Sequence, residues 1–282
     1  MPRLQGKRAL VTGGAAGVGE YVSRGLLERG AEVITLARGL SQSSGTIPGA
    51  EALSTDLADP ASIITAVDSL GDMPFDLVIC NAGLVLQSPE STVTGVEKTF
   101  GVNVLGHHLL YRLLIERDLL TKNARVVLTT GEAYVMAEDC SADAFFDSTQ
   151  KAYARSKLGN LWQVAELKNR YPQLHPIAVH PGVVASGLGG SKTGFLARLR
   201  SLLLISEEAG AQASLIGATQ DLPRGAYWHN TLGLVEFRAD DPALDAKGSA
   251  HLWNQLETLA APFLAQSERT ASSTKVLRSR SC

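Results

Sequence analysis

The stretch that most limits what this chain can fold into is residues 8–30. A short apolar run at 8–11 breaks into Thr-Gly-Gly-Ala-Ala-Gly-Val-Gly, Thr12 to Gly19. Val18, Val22, Gly25, Leu26 and Arg29 then mark one face of a helix closed by Gly30. A strand that turns through glycines into a helix leaves few architectures open. Glycines there permit a tight turn and let the backbone come close to a pyrophosphate, which free N–H groups and the helix dipole favour. A glycine-rich turn that serves chain geometry alone is the alternative. The spacing is Gly13-x-x-x-Gly17-x-Gly19, not the Gly-x-Gly-x-x-Gly of the common dinucleotide fingerprint. No Gly-Lys-Ser/Thr follows, so this is not the phosphate loop of nucleotide hydrolases.

The alternation continues along the chain. Strands are predicted at 31–36, 52–55, 75–80, 125–129, 177–180 and 226–229. Helices are predicted at about 60–70, 92–118 with a bend near Gly106, 149–170, 207–220 and 249–263. Strand and helix in turn indicate an α/β fold, a Rossmann-like doubly wound parallel sheet of about seven strands covered on both faces. No repeat or shift in composition divides it, so residues 1–265 read as a single dinucleotide-binding domain. Residues 186–206, with Phe195, Leu196, Leu199 and Leu202 to Leu204, read as a segment that closes over an apolar substrate or packs as an amphipathic helix. Residues 266–282, rich in Ser, Thr and Arg, read as a disordered tail.

Several function classes are excluded by the totals. A formal charge of −2 over 282 residues leaves no footprint for nucleic acid or an anionic membrane. Cys80, Cys140 and Cys282 have no metal-ligand spacing, and their odd number argues against a disulfide framework. His107, His108, His175, His180, His229 and His251 form no i, i+4 pair on one helix, so all six read as structural or solvated and no metal is expected. No apolar leader or spanning run is present, which predicts no membrane anchor and a cytoplasmic protein.

Tyr153-Ala-Arg-Ser-Lys157 places a phenol and an ammonium on one helix face, with Cβ atoms about 5–6 Å apart. At about 4 Å and an effective dielectric near 20, the cation stabilises a phenolate by about 4 kcal/mol. Such a Tyr can exchange a proton with an alcohol or carbonyl oxygen. A half-buried Tyr beside a solvated Lys is the plainer reading. The second strand ends Thr35-Leu36-Ala37-Arg38 with no acidic residue nearby. An Arg there suits a 2′-phosphate, so NADP(H) is preferred over NAD(H), unless Arg38 is only a solvated turn residue. Asp56 is placed to accept from an adenine amino group, or else to begin a helix.

Taken together these residues resemble the short-chain dehydrogenase/reductase family over almost the whole chain, to about residue 264. Thr12-Gly13-x-x-x-Gly17-Val18-Gly19 looks like its cofactor motif and Asp56-Leu57 like its adenine contact. Asn81-Ala82-Gly83 resembles the motif that supports the central strands. Asn103, in Val-Asn-Val, matches the helix Asn that holds a proton-relay water. Tyr153 and Lys157 match the catalytic pair, and Pro181-Gly182-Val183-Val184 begins the segment that binds the nicotinamide carboxamide, with Ser186 in place of its usual Thr. Tyr-Ala-Arg-Ser-Lys-Leu-Gly-Asn-Leu, His-Pro-Gly-Val-Val and Gly-Ala-Tyr-Trp are similar to the retinol-dehydrogenase-like and protochlorophyllide-reductase-like branch. The resemblance implies NADP(H)-dependent interconversion of a carbonyl and an alcohol on a small lipophilic substrate. Tyr153 would be general acid/base, Lys157 its electrostatic support and ribose ligand, and Asn103 the water anchor. It also implies homodimer or homotetramer pairing through the helices of Asn103 and Tyr153, although this branch is less uniform.

Two departures stand out. The family's substrate-binding Ser falls on Gly131, which has no side chain to offer. Thr130 is the substitute if the strand end is shifted, and Thr129, Glu132 and Tyr134 are further groups nearby. The connection from Arg38 to Thr55 is also short, with its helix lost. A C=C reductase on the same site and a cofactor-binding sensor with weak turnover remain the alternatives to carbonyl chemistry.

Overall fold

The computed structural model describes residues 2–39, 47–146, 148–182 and 205–279, and side chains as far as residue 267. Eight strands form one sheet: β1 (Arg8–Thr12), β2 (Glu32–Ala37), β3 (Glu51–Ser54), β4 (Phe75–Cys80), β5 (Leu120–Thr129), β6 (His175–His180), β7 (Tyr227–His229) and β8 (Gly233–Val235). Their order is β3-β2-β1-β4-β5-β6-β7-β8, parallel throughout except for the β7–β8 hairpin. The doubly wound sheet is as expected. The eighth strand adds to the expected seven; three residues, one of them Gly233, carry too little alternation to read as a strand.

Among the described residues, six helices cover the sheet. They are α1 (Gly17–Glu28), α2 (Pro60–Ser69), α3 (98–116), α4 (Thr149–Arg170), α5 (Glu207–Thr219) and α6 (Ala246–Ser279). Strand alternation sorts the core into two layers. Val11, Val33, Ile79, Val127, Ile177 and Val179 meet α1 and α5 on one face, where Val22, Leu26, Ala211 and Leu215 are buried. Leu10, Ile34, Val78, Val126 and Leu128 meet α2, α3, α4 and α6 on the other. No helix lies between β2 and β3 among the described residues, in line with the short connection there.

The bend expected near Gly106 is a change of helix type. α3 runs as Lys98–Phe100, a π turn at Gly101–Leu105 and then Gly106–Glu116, so Asn103 sits at the middle of the π turn. The helix also begins six residues later than the pattern suggested, since Glu97 caps it by accepting from the Phe100 N–H.

α6 continues to Ser279, through most of the stretch expected to be a disordered tail. Its first half lies on α3 and α4 through buried Leu252, Trp253, Leu256 and Ala260. Glu257 accepts from Arg112 Nε at 2.8 Å and lies 2.9 Å from His108 Nε2. Tyr111 on α3 donates to Gln163 on α4 at 2.7 Å.

Candidate active site

The glycine loop is assembled by Thr12. Its Oγ1 accepts from the N–H groups of Asn81 and Ala82, each at 3.0 Å, and lies 2.8 Å from His107 Nε2. Asn81 Nδ2 returns a hydrogen bond to the Thr12 carbonyl at 3.2 Å. Gly13 has φ +64, and a Cβ on it would lie 3.1 Å from the Ala82 backbone. At Gly19 a Cβ would fall 2.1 Å from the Gly13 carbonyl oxygen, so only glycine closes this turn. α1 begins at Gly17 behind Ala16, with no side chain capping its free N–H groups. Those groups fit a pyrophosphate, which is what the loop was expected to hold. Val18 packs on the α1–α5 core.

Arg38 stands exposed just past the end of β2. Asp56 Oδ1 accepts from the Ala58 N–H at 2.9 Å, and it is Asp59 that caps α2. Leu57 is buried where Gly106 gives its carbonyl room against α3. At the end of β6, Asn230 Nδ2 holds the Pro181 carbonyl at 3.2 Å and the Ala209 carbonyl of α5 at 2.8 Å, while Gly182 has φ +89. Val183, Val184 and Ser186 lie outside the described residues, as does nearly all of segment 186–206.

Tyr153 and Lys157 share one face of α4, with Lys157 Nζ 5.2 Å from the phenol ring centroid. Lys157 is buried and donates to the Thr129 carbonyl at 3.3 Å. Asn160, one turn on, donates to the same carbonyl at 3.0 Å. Gly83 closes the opposite side: a Cβ there would lie 3.5 Å from Asn103 Oδ1 and 3.9 Å from Lys157 Nζ.

Asn103 joins this group from α3. Its amide is occupied by the protein: Oδ1 accepts from Leu84 N–H at 2.9 Å, and Nδ2 donates to Leu84 O at 3.0 Å and Ser156 Oγ at 3.1 Å. The side chain fastens α3 to the β4 loop and to α4. Its own carbonyl faces His107 Nδ1 at 3.3 Å.

Thr130 is a correction. Its hydroxyl is buried and donates to the Lys157 carbonyl at 2.8 Å, so it secures α4 and does not face a substrate. Strand alternation sets it that way. Thr129 Oγ1 is buried on the other side without a hydrogen-bond partner among the described residues, and the Tyr134 hydroxyl donates to Asp241 at 2.9 Å. Position 131 is the one beside the phenol: a Cβ on Gly131 would lie 3.6 Å from the Tyr153 hydroxyl and 3.5 Å from Lys157 Cγ.

Histidines expected to be structural or solvated do more than that. His107 is fully buried and bridges Thr12 to Asn103, accepting from one and donating to the other. Burial holds it at a pKa of about 4, aided by the nearby Lys157 charge and opposed by the Asn103 carbonyl. The unfolded chain therefore takes up a proton near pH 6.5 that the folded one refuses. Stability is complete above that pH and falls as pH drops towards about 4, by up to about 3 kcal/mol. His107→Leu should cost about 1–3 kcal/mol at neutral pH, because it removes the buried hydrogen bonds to the Thr12 hydroxyl and the Asn103 carbonyl. It should also flatten the acid slope. Urea unfolding at pH 7.5 and pH 5 checks both. His180 and His229 pair beside Lys157, and Glu132 is near them. Isolated histidines on two short strands give no sequence signal for this, since the register that unites them is a tertiary fact.

Residues 7–193 match the family model described as short chain dehydrogenase. Retinol dehydrogenase 12 of Mus musculus is 32% identical over 89% of this chain and 85% of its own. A protein of Streptomyces sp. (strain C5) described as a daunorubicin C-13 ketoreductase is 27% identical over 89% and 91%. The crystal structure of an uncharacterised protein from Mycobacterium Paratuberculosis superposes with a TM-score of 0.77 at 29% identity, covering 93% of this chain and 96% of that one.

Proposed function

The chain belongs to the short-chain dehydrogenase family and is an oxidoreductase of that family; from this premise we propose that it interconverts a carbonyl and an alcohol on a small lipophilic substrate, with NADP(H) as cofactor and Tyr153 as general acid/base. The observation that carries the proposal is the Tyr153 hydroxyl, with Lys157 Nζ 5.2 Å from its ring, standing next to position 131. Bound at the α1 N-terminus, the cofactor supplies or accepts the hydride. Tyr153 gives a proton to the developing alkoxide in one direction and takes it back in the other. Lys157 holds that proton position electrostatically while anchored to the Thr129 carbonyl. Asn103 keeps α3, Leu84 and α4 in register, and the contribution open to it in a water relay is its main-chain carbonyl.

The ketoreductase and retinol dehydrogenase relatives support carbonyl and alcohol chemistry. Exposed Val135 and Met136 on the loop after Gly131, and exposed Leu232 and Leu234 after β7, support an apolar substrate. Gly131 favours a second reading, reduction of an activated C=C bond, in which a donor to the carbonyl oxygen contributes less.

A screen of NADPH and NADH against lipophilic aldehydes, ketones and enones tests the proposal. Arg38→Ala should weaken NADPH binding by about tenfold or more, the size of a lost charge-assisted hydrogen bond, and leave NADH within a few-fold. Equal losses for both cofactors would remove the 2′-phosphate role from Arg38. Turnover confined to enones would favour the second reading, and NADPH binding without turnover on any class would favour a sensor.

A further inference from the structure

β6 and β7 end side by side with His180 opposite His229 in parallel register. The side chains therefore leave the same face of the sheet, and their rings stack at 4.3 Å with planes 19° apart. Each Nδ1 is already taken. His180 Nδ1 accepts from the Gly182 N–H at 2.7 Å, and His229 Nδ1 accepts from Thr231 N–H at 3.1 Å and Leu232 N–H at 3.2 Å. A neutral imidazole that accepts at Nδ1 carries its proton on Nε2. Burial, more than any neighbouring charge, holds His180 neutral with a pKa of about 4. With each Nδ1 accepting, each ring presents an Nε2–H donor and has no free lone pair for a metal.

Glu132, the residue after Gly131, brings a carboxylate to the same place. One oxygen of it and one nitrogen of each ring lie within 4.8 Å of one another. Two groups that each hydrogen-bond the same oxygen at about 2.8 Å stand about 4.6 Å apart. A carbonyl or an oxyanion between them would face the Glu132 charge. A hydroxyl accepts from the imidazole N–H groups and donates to the carboxylate. We infer that His180, His229 and Glu132 form a recognition site for a hydroxyl group of the substrate, so that the preferred carbonyl compounds carry a hydroxyl near the reacting carbon. This rests on the reading of Tyr153 as the acid/base group, whose neighbour at position 131 fixes where the reacting oxygen lies.

The test compares acetophenone with 2-hydroxyacetophenone, using NADPH. The protein as found should favour the hydroxyketone in kcat/KM by about tenfold or more. His229→Phe, which keeps a ring stacked on His180, and Glu132→Gln should each bring that ratio towards one. His251→Ala, an exposed change on α6, should leave the ratio intact. A ratio unmoved by both site variants would overturn the assignment. Nitrogen-15 spectra of the imidazoles give a second measure that needs no turnover. 1-Phenyl-1,2-ethanediol should perturb the Nε2–H signals of both rings in the cofactor-loaded protein. Stoichiometric Zn²⁺ binding that strips those protons would overturn the inference in favour of a metal site. If neither ketone is reduced, the Tyr153 reading fails, and the effect of the diol on the imidazoles still decides the hydroxyl site.

Discussion

Tyr153→Phe lowers kcat for carbonyl reduction by about 10²–10⁴-fold, the usual contribution of a positioned acid/base group. The substitution is narrow. A phenylalanine keeps the ring near Lys157 Nζ and the half-buried packing of α4 on the β5 end, and loses only the hydroxyl. Cofactor affinity should therefore stay within a few-fold, and the loss should fall on kcat more than on KM. Single-turnover kinetics, beside equilibrium NADPH binding, make the measurement. A variant that turns over like the parent would remove Tyr153 from proton transfer and return the pair on α4 to a packing role.

The pair was legible because four residues of helix carry both partners, and helical geometry brings them together without help from the rest of the fold. The glycine loop was legible for a similar reason, since Gly19 meets the Gly13 carbonyl, backbone that the strand–turn–helix itself brings near. What could not be read was set by register between distant segments. His180 and His229 are 49 positions apart in sequence and meet only because β6 and β7 pair in parallel. Asn103 was found as a residue, but the partners of its amide, Leu84 and Ser156, come from a loop and another helix and could not be read. Thr130 failed as a substitute for a further reason. Its side of the strand end is turned towards α4, where its hydroxyl donates to the Lys157 carbonyl. α6 runs past residue 265 into a polar stretch that carries no apolar periodicity to announce a helix.

Gly131→Ser raises kcat/KM for simple ketones by about 10²–10³-fold, the effect of adding one oriented hydrogen-bond donor at a developing oxyanion. The backbone accepts the change: Gly131 has φ −174 and ψ 151, extended geometry open to any residue. Its Cβ would meet Lys157 Cγ at 3.5 Å, the Tyr153 hydroxyl at 3.6 Å and Lys157 Cδ at 3.7 Å, all ordinary contacts. The new hydroxyl would thus stand beside the phenol, with two donors on one substrate oxygen where the present chain has one. The gain should be smaller for ketones that carry a neighbouring hydroxyl, because those are already oriented through His180, His229 and Glu132. It should vanish in the double variant with Tyr153→Phe if the two hydroxyls act on the same oxygen, since the proton would then have no source. Steady-state kinetics on acetophenone and 2-hydroxyacetophenone with the parent, both single variants and the double variant read all three effects. An unchanged rate in Gly131→Ser, with folding intact by circular dichroism, would mean that the substrate oxygen does not lie between Tyr153 and position 131. The glycine would then mark a chemistry that does not polarise a carbonyl, and C=C reduction becomes the reading to pursue.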